Sequence, residues 1–176
     1  LFNPFKQVYL EFSDWISNEK FYYKLAYDDY HEYFSDKEIL AKTTPSQFVY
    51  KFDAGNSLTF YLEYQDLVKT VSTVSNNRQE KHFYWYFSPS YNHFGLWSFT
   101  LFYDYEHVFS NYFQDGVVND DEHSWIGGDC TININDLNQL SIFYGSQKGG
   151  LVCANGSCVL QPDFDDGFKV TYRTSF

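Results

Sequence analysis

Methionine is missing from all 176 residues and the chain opens on Leu1, so the expectation is a segment of a longer protein, on the scale of one domain or part of one. No stretch approaches the roughly 18 consecutive apolar residues of a membrane-crossing helix. The first residues also lack the charged start and apolar core of a secretion signal, so any such signal is expected upstream. Basic residues are scarce: 12 Lys and Arg stand against 23 Asp and Glu, a formal net charge of −11. Nucleic-acid binding depends on neutralising phosphates with Lys and Arg, so that class of partner is set aside. Helical periodicity is missing as well. Only Lys37 to Ala41 suggests a turn of helix, without a capping sequence, so almost no helix is expected.

What the chain has in excess is aromatic side chains. There are 17 Tyr and 19 Phe, yet the mean hydropathy is −0.45, so large apolar groups must be interleaved with polar ones. Such alternation marks strands with one apolar face. It is clearest at the end, where Phe168, Val170, Tyr172, Thr174 and Phe176 share one face and Lys169, Thr171, Arg173 and Ser175 the other. Moving backward, the same period holds for Leu140, Ile142 and Tyr144, for Ile126, Cys130, Ile132 and Ile134, and for Trp97, Phe99, Leu101, Tyr103 and Tyr105. It continues through Phe83, Trp85 and Phe87, through Leu58, Phe60, Leu62 and Tyr64, and through Phe48, Tyr50 and Phe52. Phe21, Tyr23, Leu25 and Tyr27, then Val8, Leu10 and Phe12, complete nine predicted strands.

The predicted connections alternate short and long. Tight turns fall near Ser17 and Asn18, at Asp53 to Asn56, at Tyr91 to Gly95 and at Asn135 to Asn138. Between them lie a polar stretch from His31 to Thr44, a link through Asn76 and Asn77, an acidic loop from His107 to His123, and a long loop from Gly145 to Gly167. Outer-membrane barrels combine strands of about ten residues, apolar outside and polar inside, with short periplasmic turns and longer extracellular loops. The predicted fold is therefore all-β: an antiparallel up-and-down transmembrane β-barrel, with residues 1–176 supplying about nine C-terminal strands of a larger barrel. Single-chain bacterial barrels have an even strand count, so at least one more strand is expected upstream.

In that register Glu11, Lys24, Lys51, Asp53, Glu63, Asp104, Asp129, Lys169 and Arg173 face the lumen. Their mixed signs suit either cross-strand ion pairs or a hydrated lining. A barrel of about eight strands is filled by its own side chains, whereas one of roughly 16 leaves an aqueous path. Trp15, Tyr64, Trp85, Trp97 and Tyr105 are expected outward in aromatic girdles, with carbohydrate stacking as the rival explanation for some.

Cys153 and Cys158 flank a short Gly-containing segment, a spacing compatible with a disulfide that pins the last outer loop in an oxidising compartment. Two free thiols and a metal site are the alternatives, and the segment offers few further soft ligands. Cys130, in phase with Ile126, Ile132 and Ile134, is expected to be a small apolar side chain facing lipid or a neighbour. Asp115, Asn119, Asp120, Asp121 and Glu122 gather beside His123, but without EF-hand spacing, and a solvated acidic loop is expected rather than a Ca²⁺ site. The acids Asp163, Asp165 and Asp166 are read the same way. Glu63, His82 and Asp104 form no distinctive catalytic spacing, so no catalytic residue, metal or cofactor is assigned.

The stretches SIFYGSQKGGLVCANGSCVLQPDFDDGFKVTYRTSF, SPSYNHFGLWSFTLFYDYE and SWIGGD closely resemble the C-terminal part of a family of outer-membrane β-barrel proteins from Bacteroidota and relatives, known only as a domain of unknown function. The likeness is closest over the last half. Its most specific part is FYGSQKGGLVCANGSC, with Gly145, Gly149, Gly150, Cys153, Gly156 and Cys158 where the family's loop motif has them. The resemblance implies a last strand carrying Tyr172 and ending in Phe176, the signal read by the barrel assembly machinery, and it implies no reaction. It also implies envelope partners such as surface lipoproteins or type IX secretion subunits.

The reading that follows is a non-enzymatic integral outer-membrane barrel, in contact with outer-membrane lipids, its long loops extracellular and its C-terminus periplasmic. Its role would be a pore, a receptor or an accessory subunit of an envelope complex. A soluble or surface-attached β-sandwich that binds glycans through Tyr and Trp is the alternative, since a sheet with one buried face alternates too. A barrel enzyme acting on lipid or protein is a further one.

Overall fold

Alternating aromatic and polar residues place large side chains on one face of an extended chain while leaving the backbone to pair edge to edge, and the sheet follows from that. The computed structural model describes residues 5–33, 37–72, 77–112, 118–154, 157–161 and 164–174, with the backbone alone at 5, 77, 111–112, 118–119, 150–154 and 157–161. The strands are β1 (Phe5–Ile16), β2 (Phe21–Tyr33), β3 (Lys37–Lys51), β4 (Asn56–Ser72), β5 (Asn77–His93), β6 (Trp97–Tyr112), β7 (Val118–Asn135), β8 (Asn138–Gln147), β9 (Gly150–Ala154), β10 (Ser157–Gln161) and β11 (Phe164–Thr174). Nine of them form one antiparallel meander in the order β1-β2-β3-β4-β5-β6-β7-β8-β11, and β9 and β10 pair as a separate hairpin between β8 and β11. The sheet is open: β1 and β11 are its two edges.

The nine strands of the sheet correspond to the nine predicted from alternation, but most are longer. His31 to Thr44, expected as a loop, is instead the end of β2 and the first half of β3, paired from His31 with Leu40 to Asp28 with Thr43. The acidic segment from His107 to His123 likewise runs as paired strand on both sides of 113–117, from His107 with Glu122 to Asn111 with Val118. At that end the connections 34–36, 73–76 and 113–117 are short and only the one from β8 to β11, which holds the β9–β10 hairpin, is long, so the predicted alternation of short and long connections survives at that one place. Beyond the apolar part of each strand both faces carry polar residues, so the period-two signal stops while the hydrogen-bonded ladder goes on.

The opposite end is closed by tight turns whose chemistry is local. The His93 carbonyl accepts from the Leu96 amide at 2.8 Å. Phe94 and Gly95 lie between them at φ +51° and +67°, a type I′ turn whose twist matches that of the strands it joins. Asp53, expected in the lumen, is instead the cap of the β3–β4 turn: its Oδ1 accepts from the amides of Gly55 and Asn56 at 2.8 Å each. The Asn56 side-chain amide, followed by those backbone bonds, holds the Asp53 carboxyl below the usual range. A residue at a strand's end turns with the loop, so alternation no longer decides where it points.

One face of the sheet is apolar and exposed. Phe60, Leu62, Trp85, Phe87, Phe99, Leu101, Tyr103, Ile126 and Ile134 all lie on it, as do Phe168, Val170 and Tyr172. Cys130 shares this face, a free thiol of intermediate exposure. The other face buries Ala26, Ser88, Asp104, Ser110 and Phe143. No second layer lies over it among the described residues, so this burial comes from crowding of inner-face side chains against one another, as happens where a sheet curls toward that face. Trp15 belongs here and not among the outward aromatics: its ring lies 5.0 Å from that of Tyr22, and Lys51 Nζ sits 4.0 Å above it. Its odd position is out of phase with Val8, Leu10 and Phe12.

Candidate binding face

The inner face is built from cross-strand rows that the ladder sets in register. One row runs Glu63, Tyr86, Asp104, Trp125, and the next runs Gln65, Tyr84, Glu106, His123. Tyr84 donates its hydroxyl to Asp104 Oδ1, joining the two rows diagonally. Along β4, Tyr61 donates to Glu63 Oε2. Lys148, just beyond β8, reaches over both rows: its Nζ lies 3.0 Å from Glu106 Oε1, 4.6 Å above the Tyr84 ring and 5.8 Å from the Trp125 ring. His82 Nδ1 approaches the same Glu106 oxygen at 3.5 Å.

Further pairs continue this lining. Lys69 Nζ stands 3.2 Å from Glu80 Oε2, and Arg78 pairs with the other oxygen of Glu80. Lys24 meets Glu11 at 2.8 Å near the β1 edge. Thr131 donates to Asp129 Oδ1 at 2.6 Å, and Ser141 donates to Asp129 Oδ2. Of the residues expected to face the lumen, Glu11, Lys24, Lys51, Glu63, Asp104, Asp129 and Lys169 do form inner-face contacts, each with a polar or aromatic neighbour. Partly exposed pairs of this kind contribute about 0.2–1 kcal/mol each, so their joint effect is to fix side-chain positions more than to stabilise the sheet.

Toward β11 the inner face turns apolar. Phe102 and Phe143 stack at 5.4 Å, and Phe164 meets Phe143 edge-on at 5.8 Å. Gly127 makes room for this cluster, because a Cβ there would lie 2.7 Å from Phe102 Cζ. Gly128 faces the other way and leaves, with Cys130, a notch of about 460 Å³ among Phe99, Leu101, Ile142 and Tyr144. The adjacent glycines of SWIGGD thus serve opposite faces.

The remaining expected site residues are dispersed. Cys153 and Cys158 are directly opposite one another in the β9–β10 ladder, and their side chains lie outside the described residues. Tyr172 is outward on β11, its hydroxyl donating to Asn138 Oδ1 at 2.7 Å, and Phe176 lies outside the described residues. In the acidic segment Asp120 pairs with His107, Asp121 and Glu122 are exposed, and Asp115 lies outside the described residues. Among the described residues no group of three potential ligands is arranged to hold a metal ion.

Two features of this face were not anticipated. A Tyr followed two residues later by an acid puts both side chains on one face of a strand, and Tyr30 with Glu32 and Tyr61 with Glu63 use that spacing. This signal was available in the sequence. The position of Lys148 was not, because it follows the last regular strand residue, where alternation gives no direction. Compared with protein-family models, with curated proteins and with solved structures, the chain gives no match.

Proposed function

We propose that the chain is part of an integral outer-membrane β-barrel, non-enzymatic, acting as a pore, a receptor or an accessory subunit of an envelope complex. The observation that carries this reading is the apolar outer face and the way it ends. On β4, β5 and β6 the outward residues Tyr64, Trp85 and Tyr105 form one cross-strand row. The next row outward is Val8, Asp29, Lys42, Asp66, Phe83, His107 and Glu122, charged or titratable at every strand from β1 to β7 except β1 and β5. An aromatic tier followed by charge is the profile of a membrane interface.

The width is close to that of a lipid-facing band. From Trp97 to Tyr105 the outward residues of β6 are all apolar or aromatic, a run of about 26 Å along the strand at ~3.3 Å per residue, or about 20 Å of depth at a tilt of roughly 40°, against a lipid-facing band of about 25 Å. Toward β11 the polar boundary steps down by one or two residue pairs, to Ser124, Ser146 and Asp166, while the turns at the other end step the same way. A level band crossing tilted strands requires that drift.

Edge direction sets what closure would require. β1 and β11 run the same way, so an antiparallel closure needs an odd number of further strands between them. The sandwich alternative requires a second sheet over one face, and the described residues beyond the nine-stranded layer supply only the short β9–β10 hairpin. In this reading the tight turns are periplasmic, the β9–β10 hairpin is extracellular, and Cys153 and Cys158 form the disulfide that closes it.

The test is mobility on SDS gels. Protein folded in detergent should migrate differently before and after boiling, because membrane barrels resist SDS until heated. Solubility without detergent, together with identical mobility in the two lanes, would refute the membrane reading.

A further inference from the structure

We infer that the inner face holds a binding site for an organic ammonium ion, and that Lys148 occupies it as a tethered ligand. The walls of the site are the rings of Tyr84 and Trp125, and its counter-charge is Glu106. The Lys148 ammonium lies within cation–π range of both rings and in hydrogen-bonding contact with the carboxylate. The three walls come from β5, β6 and β7, whose register brings Tyr84 opposite Glu106 and Trp125 opposite Asp104. The site therefore belongs to the sheet, while its occupant belongs to the connection that leaves β8.

The chemistry selects the ligand class. With Lys148 withdrawn, Glu106 and Asp104 leave the pocket negative, and His82 is the nearest remaining basic group. Aromatic walls replace little of the water around a small hydrated metal ion, but they match the diffuse charge of a methylated or primary ammonium group. The Lys148 side chain is 31% exposed, so the site opens to water. It lies on the face opposite the apolar band, so the ligand arrives through water and not from the bilayer. The inference rests on the barrel reading only in that this face becomes a hydrated lumen.

A tethered group competes at an effective concentration of about millimolar or above, so the wild-type site should respond weakly to free ligand. The experiment titrates tetramethylammonium chloride, against sodium chloride at equal ionic strength, into protein carrying Trp15→Phe, Trp85→Phe and Trp97→Phe, which leaves Trp125 as the one tryptophan of these 176 residues. Lys148→Gln in this background should give a saturable Trp125 response with at least ~tenfold tighter apparent affinity than its Lys148 parent, on release from that intramolecular competition. Adding Glu106→Gln should abolish it. A flat titration of the Lys148→Gln protein, or one indifferent to Glu106→Gln, overturns the inference.

A second measurement needs no substitution. Acetylation of Lys148 in the wild-type protein, read by mass spectrometry, should rise when tetramethylammonium, at a concentration at least ~tenfold above that which saturates the Lys148→Gln protein, displaces the ammonium from its cage, and an unchanged yield at that concentration also overturns the inference. The heat-dependent gel shift is scored on the same samples. Failure of the shift counts against the membrane reading alone, and failure of the titration in shift-positive protein counts against the ammonium site alone.

Discussion

Replacing Gly127 by alanine adds one methyl group to the inner face against two stacked phenylalanine rings. The new Cβ would lie 2.7 Å from Phe102 Cζ and 2.8 Å from Phe143 Cε2. Carbon atoms settle near 3.5–4.0 Å, so both rings must retreat by about 0.8 Å. Phe143 is 4% exposed and already held between Phe102 and the edge-on Phe164, which leaves it nowhere to go without breaking one of those contacts. Overpacking of this kind costs about 1–3 kcal/mol. Relief of glycine's chain entropy returns about 0.5–1 kcal/mol, so the net loss should be about 1–2 kcal/mol. Gly128 is the internal control. An alanine there meets the flexible Leu101 Cδ2 at 3.2 Å and makes ordinary contacts with the Thr100 carbonyl at 3.6 Å and Phe99 Cε2 at 3.8 Å, so the entropy gain should dominate and stability should hold or rise. Urea unfolding in detergent micelles, followed by tryptophan fluorescence, measures both variants. Shifts of equal sign and size at the two positions would refute the assignment of these neighbours to opposite faces of the sheet.

The β3–β4 turn should be acid-sensitive through Asp53. Its folded pKa is depressed, so its contribution is complete above the unfolded value of about 4 and is lost as pH falls through the folded value. Asp53→Asn should therefore unfold earlier than wild type at pH 7, with the difference shrinking toward pH 3 in paired urea titrations. Phe94 holds a left-handed conformation at φ +51° with its side chain 59% exposed. Phe94→Asn should raise the unfolding midpoint, by about 0.5–1 kcal/mol, because Asn tolerates that conformation and little packing is lost; a lowered midpoint would show that its ring over Gly55 matters more. Alkylation of the denatured protein before reduction should label Cys130 alone, and after reduction all three cysteines. Three labels before reduction would exclude the disulfide between Cys153 and Cys158.

Alternation located every strand of the sheet because a sharp apolar-to-polar contrast between faces persists from about Leu58 to Tyr64 on β4 and from Trp97 to Tyr105 on β6. It failed where that contrast ends. Lys42 and Asp66 are paired neighbours in the sheet and both point outward, so the residues around them read as loop although the backbone remains a strand. Trp15 departs from expectation for the complementary reason: aromatic type alone predicts an outward position, whereas its phase with Glu11 and its contact with Lys51 put it inside. The candidate site was legible in pieces. Glu63 and Asp104 stood out as inward carboxylates, but their neighbours in adjacent rows depend on register between β4, β5, β6 and β7, which a single strand's pattern does not contain. The approach of Lys148 depends on the path of an irregular segment and had no sequence signal.

In the nine-stranded meander each strand pairs with the one made just before it, and only the β8–β11 junction steps over an inserted hairpin. Construction can thus proceed by addition of single strands to a growing margin, with no long loop to close before the next contact forms. At every stage one margin is freshly exposed and able to template its successor. A factor that shields the growing margin would act once per added strand while the β1 edge stays open throughout, and the inserted β9–β10 hairpin marks the one step at which that rhythm is interrupted.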